Sequence, residues 1–197
     1  MSQNNINDII EDLTAKLEKV LKKKRYRHTI AVCDTAANMA MRYGADIDKA
    51  RIAGILHDCA KNIKGSELIS LCREAELDID TGLYDNSELL HAPYGAYLAE
   101  HLYHINDPDI LNAIKWHTTG RPDMSILEKI IFVADYIEPW RDTAPNLSQI
   151  REIAYIDIDQ CIVQICEGTL NYLTKSEINI DNQTYDTYYY YKNLKKE

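Results

Sequence analysis

Ile52-Ala-Gly-Ile-Leu-His-Asp-Cys-Ala-Lys61 sets a histidine and an aspartate side by side, His57 and Asp58, in an otherwise apolar run. Read as a helix, the run places Asp58 on one face with Ile55 and Gly54, where a carboxylate loses its water. Only strong pairing or a cation offsets that loss, and metal coordination meets the need directly.

Outward from this run, the chain supplies further donors. His28 lies upstream, and His91 (Leu-Leu-His-Ala-Pro), His117 (Ile-Lys-Trp-His-Thr-Thr-Gly) and Asp135 (Ile-Ile-Phe-Val-Ala-Asp-Tyr-Ile-Glu-Pro) lie downstream. Helical spacing aligns His117 with Ile110 and Ile114, and Asp135 with Leu127 and Ile131, so both are expected to point inward. Taken singly, His28 or His91 reads as an ordinary half-buried histidine and Asp135 as a buried hydrogen-bond acceptor. Taken together, six donors on apolar faces read as a metal site built from several helices. His101 and His104 flank a helix end before Asn106-Asp-Pro and read as surface residues.

The chain of 197 residues, 46% hydrophobic, is expected to fold as one domain, residues 1–197, with a sizeable core. A net charge of −9 disfavours nonspecific binding to nucleic acid or to an anionic membrane. An anionic ligand then needs local positive charge from cations, Lys or Arg. The five cysteines, Cys33, Cys59, Cys72, Cys161 and Cys166, are odd in number and lack Cys-x-x-Cys spacing. They read as free thiols in a reducing cytoplasm rather than as disulfides or a zinc knuckle. No apolar signal core opens the chain and no stretch is long enough to span a bilayer, so secretion is not expected.

Periodicity predicts helices throughout, an all-α fold. Ile6, Ile9, Ile10, Leu13, Leu17, Val20 and Leu21 mark a first amphipathic helix running into the basic segment Lys22–Arg27. A second helix is expected from about His28 to Tyr43, stopped by Gly44, with Asp46 or Asp48 capping the third. Ser66 is a candidate cap for a short helix through Leu77, followed by a loop from Asp78 to Asn86. A helix from His91 or Pro93 reaches about Tyr103, Asp107-Pro108 opens one ending at His117, and Ser125 with Glu128 forms a capping-box pattern before the helix bearing Asp135. Pro139 and Pro145 bracket a loop, and a long helix follows from near Asp157 to Thr174. The tyrosine-rich stretch about 182–197, with Tyr185 and Tyr188–Tyr191, reads as a terminal helix whose rings pack while their hydroxyls stay wet; base stacking or a dimer contact is the alternative.

The order His, His-Asp, His, His, Asp resembles the HD-domain metal-dependent phosphohydrolases. His-Asp-Cys-Ala-Lys61, His91-Ala-Pro-Tyr-Gly-Ala96, His117-Thr-Thr-Gly120 and Ala134-Asp-Tyr-Ile-Glu-Pro139 with Arg141 narrow it to the bacterial YqeK family of symmetrical diadenosine tetraphosphate hydrolases, over roughly residues 20–175. The resemblance implies a single HD-domain helical bundle and two divalent transition metals, iron first, with manganese, cobalt or zinc as alternatives. His28, His57, Asp58 and Asp135 would hold one metal, and Asp58 would bridge to a second held by His91 and His117. The two metals would lower the pKa of a bridging water and hold the phosphate in line.

Asp58 and Lys61 are thus the candidate catalytic residues, Lys61 as a charge clamp on a phosphoryl oxygen; a solvated lysine ending a helix is the competing reading. Arg25 and Arg141 are candidates for the outer phosphates, or ordinary surface charges. Thr118, Thr119 and Gly120 are candidates to flank the nucleotide, or a simple turn. The expected partner is a dinucleoside polyphosphate, with neither nucleic acid nor membrane, and a homodimer is compatible with the sequence. Other HD phosphohydrolases, acting on nucleoside triphosphates, guanosine alarmones or cyclic nucleotides, and a non-enzymatic HD sensor module are the alternatives.

Overall fold

Residues 3–79 and 81–194 are described in the computed structural model, and among them there are ten α-helices and no strand. The helices are α1 Gln3–Val20, α2 Lys23–Tyr43, α3 Ile47–Leu56, α4 Gly65–Glu74, α5 His91–His101, α6 Pro108–Lys115, α7 Ile126–Ile137, α8 Leu147–Ile153, α9 Ile158–Lys175 and α10 Asn182–Asn193. The all-α expectation holds. No helix among the described residues is long and apolar enough to cross a membrane.

α7 organises the core because it is apolar nearly all round. Leu127, Ile130, Ile131, Phe132, Val133, Ala134 and Ile137 are buried, and α2, α3, α6, α8 and α9 pack against it. Each of these side chains other than Ala134 contributes about 1.5–3 kcal/mol on leaving water. α1 lays Ile10, Leu13 and Leu17 into the same core. A smaller cluster of Ala60, Leu68, Cys72, Leu90 and Tyr94 ties α4 to α5.

Local capping chemistry sets several boundaries. Asp46, not Asp48, caps α3 by accepting the Lys49 N–H at 3.0 Å. Gly44 ends α2 in the left-handed conformation at φ 68°, which favours glycine. Asp107 accepts the Asp109 N–H ahead of Pro108. The capping box of α7 is complete: Ser125 Oγ accepts the Glu128 N–H, and Glu128 accepts the Ser125 N–H.

Other boundaries differ from expectation. The basic segment opens α2 instead of extending α1, because Lys22 turns extended at φ −62°, ψ 144°. Ser66 lies inside α4, which starts at Gly65 behind Lys64 and ends at Glu74 rather than Leu77. Within the stretch expected as a loop, Thr81–Leu90 forms 3-10 turns kinked at Asn86, while residue 80 falls outside the described residues. α8 was not anticipated. The terminal tyrosines do pack, but Tyr191 is 1% exposed and its hydroxyl accepts the Met124 N–H at 2.9 Å, so that hydroxyl is not wet. Residues 195–197 of the tyrosine-rich stretch lie outside the described residues.

Candidate metal centre

His57 and Asp58 lie just past the C-terminus of α3, not within it as the helical reading had it. Their position is set three residues earlier, where a Cβ on Gly54 would stand 2.9 Å from Cys33 Cα. Glycine therefore lets α3 press onto α2, the helix that carries His28. His117 likewise follows the end of α6, at Lys115. Asp135 comes from α7 and His91 opens α5. All four histidines are buried.

Three of the rings are oriented by one local device. His57 Nδ1 bonds the Gly54 carbonyl at 2.7 Å, His117 Nδ1 the Ile114 carbonyl at 2.8 Å, and His91 Nδ1 the Glu88 carbonyl. Each partner lies three residues back. Gly54 and Ile114 belong to last helical turns, whose carbonyls lack intrahelical donors. His28 Nδ1 instead meets Glu138 Oε1 at 3.0 Å. A neutral imidazole carries one ring proton; with that proton on Nδ1 facing these acceptors, Nε2 would be free to serve as a metal ligand.

The four Nε2 atoms converge in two pairs, His28 with His57 at 3.3 Å and His91 with His117 at 3.2 Å. Asp58 lies between the pairs. Its Oδ2 is 3.4 Å from His57 Nε2 and 3.7 Å from His28 Nε2, while its Oδ1 is 3.2 Å from His91 Nε2 and 3.7 Å from His117 Nε2. Asp135 Oδ1 joins the first pair, 3.0 Å from His28 Nε2. Two donor groups thus share one carboxylate, His28-His57-Asp58 and Asp58-His91-His117.

The electrostatics favour added positive charge. Burial works against ionised Asp58, but His57, His117 and His91 outweigh it and hold the carboxyl well below its usual range. Asp135 is likewise held low against burial by His28, His57 and Arg141. Burial disfavours protonated His28, yet Asp135, Glu138 and Asp58 prevail and raise its pKa. Burial pushes His91 down to about 4, so it stays neutral. Imidazole nitrogens with carboxylate oxygens form a donor set that suits a divalent transition metal.

Basic side chains edge the cluster. Arg25 meets Asp58 Oδ2 at 2.5 Å, Arg141 meets Asp135 Oδ1 at 3.0 Å, and Lys61 Nζ lies 3.3 Å from His91 Nε2. Burial lowers the Lys61 pKa. A cleft of about 500 Å³ opens here, lined by Arg25, His28, Lys61, Lys64, Glu138 and Arg141 among others. Thr118 and Thr119 line a separate pocket of about 310 Å³ with Pro93, Trp116 and Gln183. Gly120 borders neither: at φ +66°, a Cβ there would meet Thr187 of α10 at 2.7 Å, so its bare backbone accommodates a helix. His101 and His104 are exposed. Glu138, the partner of His28 Nδ1, escaped the sequence reading.

Helical fold and paired donor groups define a metal-binding hydrolase of the HD type. Residues 25–140 match the family described as HD domain, and the chain belongs to it. It is 40% identical over 178 residues, 90% of this chain and 95% of the relative, to the symmetrical bis(5'-nucleosyl)-tetraphosphatase of Bacillus subtilis strain 168. Its identity to the enzyme of the same name from Halalkalibacterium halodurans is 45% over 168 residues, 85% of this chain and 89% of that one. A crystal structure from Clostridium acetobutylicum, titled a predicted HD superfamily hydrolase involved in NAD metabolism, superimposes with a TM-score of 0.90 at 38% identity, covering 94% of this chain and 97% of that one.

Proposed function

We propose that the chain hydrolyses diadenosine tetraphosphate symmetrically, giving two ADP, in the cytoplasm and with two divalent transition metals, iron first. The observation that supports this most is Asp58, whose two carboxylate oxygens serve two separate histidine pairs. The names of relatives 40–45% identical over most of the chain supply the substrate. When bound, the metals would supply a water of lowered pKa and neutralise charge on the attacked phosphoryl group.

The chain's own residues account for the rest. Asp58 stays ionised and holds the two donor groups in register. Lys61, half-buried at the cluster edge, faces phosphoryl oxygens as a point charge, and Arg25 and Arg141 offer guanidinium groups to the outer phosphates. Water adds its oxygen to one of the two central phosphorus atoms, the central bridging P–O bond breaks, and the departing ADP takes up a proton.

The test combines metal analysis of the purified protein with product analysis on dinucleoside polyphosphates. About two metal ions per chain and ADP alone are expected; AMP with ATP would rule out the central cut. Asp58→Ala should lower turnover on the order of a thousandfold or more and release most of the metal. Unchanged turnover would refute the shared-ligand role.

A further inference from the structure

Trp140 leaves 57% of its surface exposed, although folding usually buries most of an indole. It lines the basic cleft together with Arg27, Lys61 and Arg141. The Arg27 guanidinium carbon lies 4.3 Å from the ring centre, a cation–π contact that steadies the ring without enclosing it. The backbone beneath is anchored to the metal centre. Trp140 N–H donates to Glu138 Oε2 at 2.6 Å, and the other oxygen of the same carboxylate meets His28 Nδ1 at 3.0 Å.

We propose that Trp140, backed by Arg27, is the platform on which one adenine of the nucleotide substrate stacks while its phosphates lie against Lys61 and Arg141; this rests on the nucleotide-hydrolase reading above. A purine offers a broad π face, and an open indole beside a phosphate cleft matches it. Acidic residues of the chain would repel the phosphates elsewhere, but the cleft concentrates Lys and Arg, so base and phosphates are served side by side. Trp140 touches no reacting atom in this arrangement. It is a binding and positioning residue, tolerant of guanine in place of adenine because stacking reads no base edge.

The experiment uses the metal-loaded full chain, with Trp140→Ala and Trp140→Phe. The KM for diadenosine tetraphosphate is expected to rise about tenfold in the alanine variant, with the loss falling mainly on KM, and the phenylalanine variant should recover most of it. Intrinsic fluorescence supplies a second readout, since the chain has two tryptophans. With excitation confined to tryptophan, ADP should quench the wild type, quenching should vanish in Trp140→Phe, where Trp116 is the sole tryptophan, and tripolyphosphate, which has no base, should not quench. A KM within twofold of wild type in Trp140→Ala, equal quenching by tripolyphosphate, or ADP quenching that survives in Trp140→Phe would overturn the proposal. Failure of every variant and of the wild type to hydrolyse dinucleotides would sink the enzymatic reading instead, and the comparison of ADP with tripolyphosphate would still decide the stacking.

Discussion

Glu138 shows how much a single side chain outside the donor set can govern. Buried at 3% exposure, it accepts from His28 Nδ1 through one oxygen and from the Trp140 N–H through the other. Removing it frees the ring of His28 and leaves two donors without an acceptor. Glu138→Ala is expected to weaken metal binding about 10–100-fold, the usual effect of losing a partner that orients a ligand. Glu138→Gln keeps an acceptor oxygen and should lie between the two. Competition with a chelator measures both, and an affinity for metal equal to wild type in the alanine variant would contradict the role. Asp58, His117 and Asp135 stood out in the sequence because each is a polar residue set on an apolar face, and His28, His57 and His91, which meet them in the structure, entered through their order along the chain. Glu138 did not, because nothing local distinguishes a carboxylate that serves a neighbouring ring from one that faces water.

Among the helices, α3 depends on the closest approach. Its Gly54 lies so near the backbone of α2 that any side chain must push the two helices apart. Gly54→Ala should therefore destabilise the fold by about 1–3 kcal/mol, seen as a Tm lower by several degrees, and should disturb the alignment of His57 with His28. A Tm equal to wild type would show that the helices yield freely. Boundaries marked by side-chain chemistry were legible: Asp107 with Pro108, Ser125 with Glu128, and Gly44. The break between α1 and α2 was not. It falls at Leu21-Lys22, with no glycine or proline to mark it, and its neighbours are good helix formers. What bends the chain there is the burial of Leu21 in the core, a tertiary cause that leaves no local trace. α8 is only seven residues long, too short for a periodic pattern to establish itself.

Across the whole molecule, the five cysteines are dispersed through the core and each is free. Burial raises Cys33 and Cys72 to about 11, and Cys59, Cys161 and Cys166 to about 12. Thiolates, the reactive form, are therefore scarce at neutral pH. A disulfide reagent such as Ellman's should label no thiol in the native protein within minutes and all five after denaturation. Prompt labelling of a native thiol would mean that the packing around it opens readily. Another global property follows from the histidines that bond back to helix-end carbonyls. α3 and α6 end at the cluster and α7 ends two residues past Asp135, so the negative ends of three macrodipoles lie beside it, against the positive ends of α5, which starts there, and of α2, which starts five residues before His28. Each negative end is equivalent to roughly half an elementary charge. The scaffold itself therefore attracts cations toward this point, adding to what the side chains provide.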